Sequence, residues 1–466
     1  MPVLTDSTRL GHSRGALVHS VSPATWRRAF DVHAADATIA ISMRVALGAA
    51  LVLVAFGLTG RSSLAGFAVL GALSIAFSRH EPLRRTAAKV GFVGALVVVS
   101  VVVGGLIALA APPMWGQIAV IAVLSGLAAA VLTAFRVGGP GPVILIFAAT
   151  AAVGSTGSPA DLRAATVAAA VGAAVGFVTA LIPFVFLPWG PARLAVARAL
   201  AAAAAVPDGG RVDAAEAAIA AAREKLALTT GADGHAHLRD LAALLAEAEA
   251  ALADWRRGDG TRLAAIVRHG QELRRVKQHT VIVGHPGAPA DLPRPSGFFA
   301  AGAAGLRARS IAHHGGRIAV AAALAGWLAA AAGLGHPLWA SMGAMAAMQG
   351  VGYAPTVQRA IQRLLGNVGG AVLAAAVLSA SLGYWPTIAI VVVLQVAAEI
   401  TATRNYALCS LFVTPMALLV VGLGTAVGPE IGLSRVLDNL IGVVVGVVVA
   451  AVTVSVKDRM HLHAST

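Results

Sequence analysis

The sequence predicts an all-α integral membrane protein: two parallel six-helix transmembrane repeats, about 12 spans in all, with a helical domain inserted between them on the cytoplasmic side. Three observations carry this expectation. First, of 466 residues 58% are hydrophobic and only 12% charged, with a mean hydropathy of +0.80, whereas soluble chains carry about 25% charged residues. Second, residues 317–370 repeat the plan of residues 44–94. An arginine (Arg317, Arg44) opens an apolar run, a short second run follows, then a polar elbow with arginines (Arg359 and Arg363; Arg84 and Arg85), then a third run opened by paired glycines (Gly366 and Gly369; Gly91 and Gly94). Third, residues 188–312 lose the apolar runs and alternate Ala and Leu with charge at helical spacing.

Taken in order, residues 1–38 hold His, Arg, Asp and Pro without a continuous apolar core and read as a cytoplasmic arm, not a signal peptide. The first repeat, 39–187, divides into spans at 39–58, 63–78, 88–112, 116–135, 141–155 and 163–187. The insert carries candidate helices at 191–206, 211–229, 235–257 and 260–281, separated at Pro207-Asp208-Gly209-Gly210 and Gly258-Asp259-Gly260. Residues 284–297, with four prolines, read as a linker. The second repeat, 313–456, has spans at 317–334, 337–352, 364–383, 386–401, 406–424 and 435–456. Residues 457–466 form a cytoplasmic tail.

Orientation follows from the cations. Arg79, Arg84, Arg85, Lys89, Arg136, Arg359, Arg363, Arg404 and the arginines of the insert fall on one side; Arg61, Arg163 and Arg435 fall on the other. The positive-inside rule then places both termini and the insert in the cytoplasm. Trp115 and Trp385 occupy equivalent joints that suit the outer aromatic belt. An even number of spans per half gives parallel repeats, and Gly172 and Gly176 of the first half match Gly442 and Gly446 of the second. These Gly-x-x-x-Gly pairs suit close helix packing. The formal charge of +14 is accounted for by the joints, so nucleic-acid binding is not expected.

Several chemistries are disfavoured. Lysine occurs only at 89, 225, 277 and 457, and none completes a phosphate-binding loop. Lone Cys409 excludes an intrachain disulfide, no His pair has metal-ligand spacing, and no nucleophile–base set appears, so neither an enzyme nor a cofactor or metal is expected. What remains are polar groups inside apolar runs, which are costly there and mark a pathway or a pair. Arg44 and Arg317 stand at equivalent mouths of spans 1 and 7, and Arg435 stands at the outer mouth of span 12. Asp438 lies one turn on and can pair with Arg435. Glu399 lies near the inner end of span 10 with Arg404 beyond it, and Gln349, Asn367, Gln395 and Asn439 add neutral donors. Snorkelling arginines and structural pairs are the plain alternatives. Glu399 and Asp438 are the titratable candidates for proton coupling. Spans 2 and 8, near 15 residues, are too short to cross a ~30 Å core. Matching short helices in two halves point to a central transport site.

The second half resembles the fusaric acid resistance protein family, which includes aromatic acid exporters and is distantly similar to plant aluminium-activated malate transporters. His336-Pro337-Leu338-Trp339-Ala340 resembles the family's H-P-x-W-A. Arg363-Leu364-Leu365-Gly366-Asn367-Val368-Gly369 resembles R-x-x-G-T-x-x-G, and Arg435-Val436-Leu437-Asp438-Asn439 with Gly442 resembles R-x-x-D-T-x-x-G, with Asn for Thr in both. Arg404-Asn405-Tyr406 and Thr414-Pro415 also fit. The first half keeps Arg84, Gly91 and Arg163 but lacks the Trp and the Asp.

The resemblance implies an efflux transporter of the bacterial inner membrane for small organic, often aromatic, acids, and it allows a homodimer. Arg44, Arg317, Trp339, Arg363, Asn367, Arg435 and Asn439 are then the candidate substrate-binding residues. A carboxylate crossing lipid needs cationic or amide partners, which these supply. Membrane potential or a proton gradient would drive export. An anion channel on the same scaffold, and a membrane scaffold acting through the insert, are the alternative expectations.

Overall fold

A computed structural model describes residues 9–33, 38–229, 236–274, 292, 296–349, 352–423 and 431–454. Most of the expected linker at 284–297 and the whole tail at 457–466 lie outside the described residues. Every regular element among the described residues is helical.

The chain divides into two compact units. One comprises residues 1–77, 90–179 and 301–466. It begins with α1 (Arg9–Val21) and α2 (Pro23–Arg28), followed by α3 (Ile39–Leu58). Next comes the short α4 (Ala65–Ala72) between 3-10 turns at Ser62–Leu64 and Leu73–Phe77, then α5 (Leu83–Ala110), α6 (Met114–Ala134), α7 (Val143–Ser155) and α8 (Pro159–Phe186). After the insert the chain runs through α13 (Phe298–Leu306), α14 (Arg309–Ala331), α15 (Pro337–Ala347), α16 (Tyr353–Ser379), α17 (Tyr384–Thr401), α18 (Tyr406–Gly422) and α19 (Ile431–Val452). Among the described residues seven helices are long and apolar enough to cross a bilayer: α3, α5, α6, α8, α16, α17 and residues Ser434–Val452 of α19. At 1.5 Å per residue, α4 and α15, with 8 and 11 residues, span roughly 12 and 16 Å and cannot cross alone.

Five helices start at least four residues earlier than their apolar runs suggest: α5 at Leu83, α8 at Pro159, α14 at Arg309, α16 at Tyr353 and α19 at Ile431. Arg317, Arg363 and Arg435, expected at mouths or in an elbow, therefore sit inside helices. The reason is local. Residues 353–363 hold good helix formers, their single proline falls in the first turn where it is tolerated, and buried hydrogen bonds replace the water that hydropathy assumes they need.

The same packing device occurs twice. A Cβ on Gly172 of α8 would meet the Ala68 carbonyl oxygen of α4 at 1.8 Å, and one on Gly442 of α19 would meet that of Ala340 of α15 at 2.4 Å. Gly176 and Gly446 approach Ala72 and Ala344 in the same way, one turn on. α4 thus lies backbone to backbone against α8, and α15 against α19, which only small residues permit. Ala111 (φ 43°) and Ser381 (φ 46°) are left-handed at the matching ends of α5 and α16. Helix α3 packs on α17, and α14 packs on α6. Tyr384 Oη donates to the Leu53 carbonyl at 2.6 Å across one contact, and Trp327 Nε1 donates to the Trp115 carbonyl at 3.1 Å across the other. Gly126 and Gly315 meet at that second contact. Trp115 and Trp385 are exposed, as an interfacial belt requires.

The second unit comprises residues 78–89 and 180–300. It contains α9 (Gly190–Ala204), α10 (Val212–Thr229), α11 (Ala236–Arg256) and α12 (Thr261–Leu273); the first three are close to the expected helices, and residues 275–281 of the fourth expected helix lie outside the described residues. Leu200, Leu226, Leu241, Leu244 and Ile266 form its core. The elbow at 78–89 is tied into it: Lys225 Nζ donates to the His80 carbonyl at 2.9 Å, and Arg85 pairs with Glu224 at 2.6 Å.

Candidate functional site

The polar groups of the second membrane half form one connected seam. It starts at a cavity of about 300 Å³ lined by Gln349, Arg359, Gln362, Arg404, Asn405 and Tyr406, among others. Arg359 is held in place there: Nε donates to the Ala346 carbonyl at 3.1 Å, Nη2 donates to Gln349 Oε1 at 2.7 Å, and the guanidinium lies 3.8 Å from the centre of the Tyr406 ring. Asn405 caps α18 by accepting from the Ala407 and Leu408 amides, which fixes Tyr406 at the first turn.

From Tyr406 the seam runs to Arg363, one turn after Arg359 on α16. Arg363 Nη1 donates to Tyr406 Oη at 3.2 Å, and Nε donates to Asn439 Oδ1 of α19 at 2.9 Å. Asn439 lies one turn after Arg435, whose guanidinium sits 4.6 Å from the centre of the Trp339 ring and 5.9 Å from that of Phe147. Trp339 is also stacked on His336, with ring centres 4.3 Å apart. The chain of contacts thus leads from the cavity to the joint between α14 and α15.

This seam is buried: Arg363 and Arg435 are each 6% exposed, Asn439 3% and Asp438 0%. It also carries polar atoms without partners. Arg435 Nη1, Asp438 Oδ1 and Asn439 Nδ2 are all buried and make no hydrogen bond. Buried polar atoms are nearly always satisfied, so three orphans on neighbouring turns of one helix need an explanation. Two are donors, one of them cationic, and together they match the acceptor oxygens of an anion.

The structure brings five of the sequence candidates together: Trp339, Arg363, Arg435, Asp438 and Asn439. Asn367 lies one turn beyond Arg363, and its amide is used up in tying helices, accepting from Thr414 Oγ1 at 3.0 Å and donating to the Arg363 carbonyl at 2.7 Å. Arg317 donates to Thr453 Oγ1 at 2.7 Å. That is roughly 28 Å along α19 from Ser434, at 1.5 Å per residue. Arg44 is half-buried on α3. Glu399 is buried on α17, where Gln395 Nε2 donates to it at 3.4 Å.

Two expected ion pairs are absent among the described residues. Arg435 does not pair with Asp438, and Glu399 does not pair with Arg404. Spacing i,i+3 permits the first, but the aromatic face of Trp339 draws the guanidinium away, and Asp438 Oδ2 instead accepts from Ser434 Oγ at 3.2 Å. Residues that sequence reasoning left out of the site are Arg359, Tyr406, His336 and Ser434. Arg359 and Arg363, at i,i+4, could have been placed on one helix face from spacing alone.

The first half lacks an equivalent. Aligning Gly71 with Gly343 and Gly172 with Gly442 sets Phe67 against Trp339, and Ala165, Ala168 and Ala169 against Arg435, Asp438 and Asn439. Aligning Gly91 with Gly366 sets Ala88 against Arg363 and Phe92 against Asn367. Among the described residues no group of three or more His, Cys, Asp or Glu is arranged to hold a metal.

No curated protein matches the chain, and no solved structure matches it. Residues 322–449, which span most of α14 to α19 and hold the seam, match the family described as fusaric acid resistance protein-like.

Proposed function

We propose that this protein is an inner-membrane efflux transporter for small organic acids, aromatic ones among them, and that the acid passes along the seam of the second half. The observation that carries this reading is the buried line Arg359–Tyr406–Arg363–Asn439–Arg435, with cationic and amide donors left unpartnered at its Asn439–Arg435 end. A carboxylate in that position gains charge-assisted hydrogen bonds in a low-dielectric setting, where they are stronger than in water. Trp339 and Phe147 beside Arg435 offer apolar faces to an aromatic ring. An inside-negative potential favours anion exit by roughly 2.3 kcal/mol per charge per 100 mV, so no ATP module is required.

The same reading takes the body as two parallel six-helix repeats with both termini and the helical insert in the cytoplasm. The reciprocal packing of α3 on α17 and α14 on α6, the repeated glycine contacts, and the arginine distribution support it. Among the described residues, the Trp339, Arg363, Arg435, Asp438 and Asn439 set has no matching residues in the first repeat. The cavity at Arg359 and Arg404 is then the cytoplasmic entrance.

The test is efflux from proteoliposomes loaded with a panel of aromatic and dicarboxylic acids, with voltage and pH gradients imposed separately. Saturable efflux of at least one acid, with its KM raised in R363A, supports the reading. Weakly saturating current that ignores the pH gradient assigns a channel instead. An absence of flux for every acid removes transport from the account.

A further inference from the structure

Asp438 is the most deeply buried carboxyl of the seam, and it is joined to the protein surface through two side chains. Asp438 Oδ2 accepts from Ser434 Oγ at 3.2 Å, and Ser434 Oγ lies 2.9 Å from His336 Nδ1. His336 is exposed, in the turn that caps α15, and Asp438 is 0% exposed. A carboxylate oxygen only accepts, so the serine hydroxyl donates to it and its own lone pair accepts from the imidazole N–H. That polarity sets every hydrogen of the chain in one direction, from the surface inward.

We propose that His336 and Ser434 form a proton relay that loads and unloads Asp438 from the end of the seam remote from the Arg359 cavity. This rests on the transport reading above and names the route by which a proton gradient reaches the anion path. In one passage, the Nδ1 proton of a protonated His336 moves to Ser434 Oγ while the serine's own proton moves to Asp438 Oδ2. His336 is left neutral with its proton on Nε2, Ser434 is again a hydroxyl, and Asp438 is a neutral acid. The reverse passage returns the proton outward. No bond other than O–H and N–H changes, and no co-reactant is needed.

The surroundings suit this role. Stacking on Trp339 fixes the His336 ring, so Nδ1 faces Ser434. Ser434 and Asp438 stand one turn apart on α19, which sets the second step by helix geometry. The charged groups facing the relay are Arg435 of α19, over Trp339, and beyond Asn439, Arg363 of α16. Both are cations, and neither forms an ion pair with Asp438 among the described residues. Arg435 is therefore positioned to respond to the carboxyl's charge: a proton on Asp438 strengthens the site's net positive charge for an arriving anion, and its loss weakens it. Burial, then the Arg435 charge, holds His336 below the usual imidazole range, so it passes protons on and does not store them near neutral pH.

Two measurements test the relay, each with S434A and the hydroxyl-conserving S434T. In proteoliposomes, S434A should lower pH-gradient-driven flux on the order of 100-fold more than voltage-driven flux, the low end for loss of a proton-transfer group. S434T should restore the pH-driven component. Equal loss of both components in S434A would make Ser434 merely structural and overturn the proposal. The second measurement needs no flux. The infrared carboxyl band that D438N removes should shift promptly on transfer of the wild type and S434T into D₂O, and slowly in S434A. The same rate in S434A, or no such band at any pH the protein tolerates, overturns the relay. Were the wild type to carry no acid, transport would fall and the infrared result alone would decide the relay.

Discussion

Replacing Arg363 is the sharpest perturbation of the seam. Its guanidinium joins three helices through one donor to Asn439 Oδ1 at 2.9 Å and one to Tyr406 Oη at 3.2 Å. R363A removes both bonds and leaves the two acceptors buried. A hydrogen bond from a charged group contributes about 1.5–3 kcal/mol, so the loss is roughly 3–6 kcal/mol before relaxation. If a carboxylate docks on this cation, losing one such bond to it corresponds to roughly a 10- to 150-fold rise in KM. R363K keeps the charge but not the fork that reaches α18 and α19 together, so it should fall between R363A and wild type. The assay is initial efflux against acid concentration, with thermal unfolding of the same samples to separate folding from binding. The double-mutant cycle with N439A should show a coupling of about 0.5–3 kcal/mol. R363A with the wild-type KM and maximal rate would refute the reasoning, because a cation on the path cannot be silent.

Three further outcomes follow. G442V places branched carbons against the Ala340 carbonyl oxygen and the Ala344 nitrogen, whose distances from a Cβ are already 2.4 and 2.8 Å, and should destabilise by about 1–3 kcal/mol or more; a wild-type melting curve would contradict the close approach. R61A and R163A, at exposed positions away from the seam, should leave efflux unchanged in the same proteoliposomes. His19 of α1 is buried at 4% exposure beside Tyr353, and burial, then the Arg28 charge, lowers its affinity for protons below that of a free imidazole, whose pKa is about 6.5. The unfolded arm therefore binds more protons at acid pH, so its docking is stable above the unfolded value and weakens as pH falls through the folded one. Limited proteolysis should cut the arm faster at pH 5 than at pH 8, about one and a half units either side of that unfolded value, and H19Q should flatten the difference.

Much of the helix order could be read from sequence because bilayer length and apolar composition constrain each span so tightly. The short second helices were visible for the same reason. What hydropathy hid were the amphipathic starts of α14, α16 and α19. A polar turn reads as an elbow unless one knows that its side chains find partners, as Arg359 does in Ala346 and Gln349. Arg363, Asn439 and Trp339 were legible through motif likeness. Tyr406 and His336 lie in the same motifs, but their contacts, like those of Ser434, arise across space and were not legible: Tyr406 bonds to a helix 43 residues back, and His336 to a serine 98 residues on. The expected Arg435–Asp438 pair shows the converse limit, since spacing permits a contact that a nearby aromatic face then redirects.

The most direct test asks which half of the body carries the anion. In a C409A background, cysteines at Asn439 and at its first-half counterpart Ala169 are exposed to a small anionic thiol reagent, with and without a transported acid. The account expects Asn439→Cys to react and to be protected by the acid, and Ala169→Cys to stay unreactive. Reaction at Ala169→Cys with none at Asn439→Cys would place the path in the other half and contradict it.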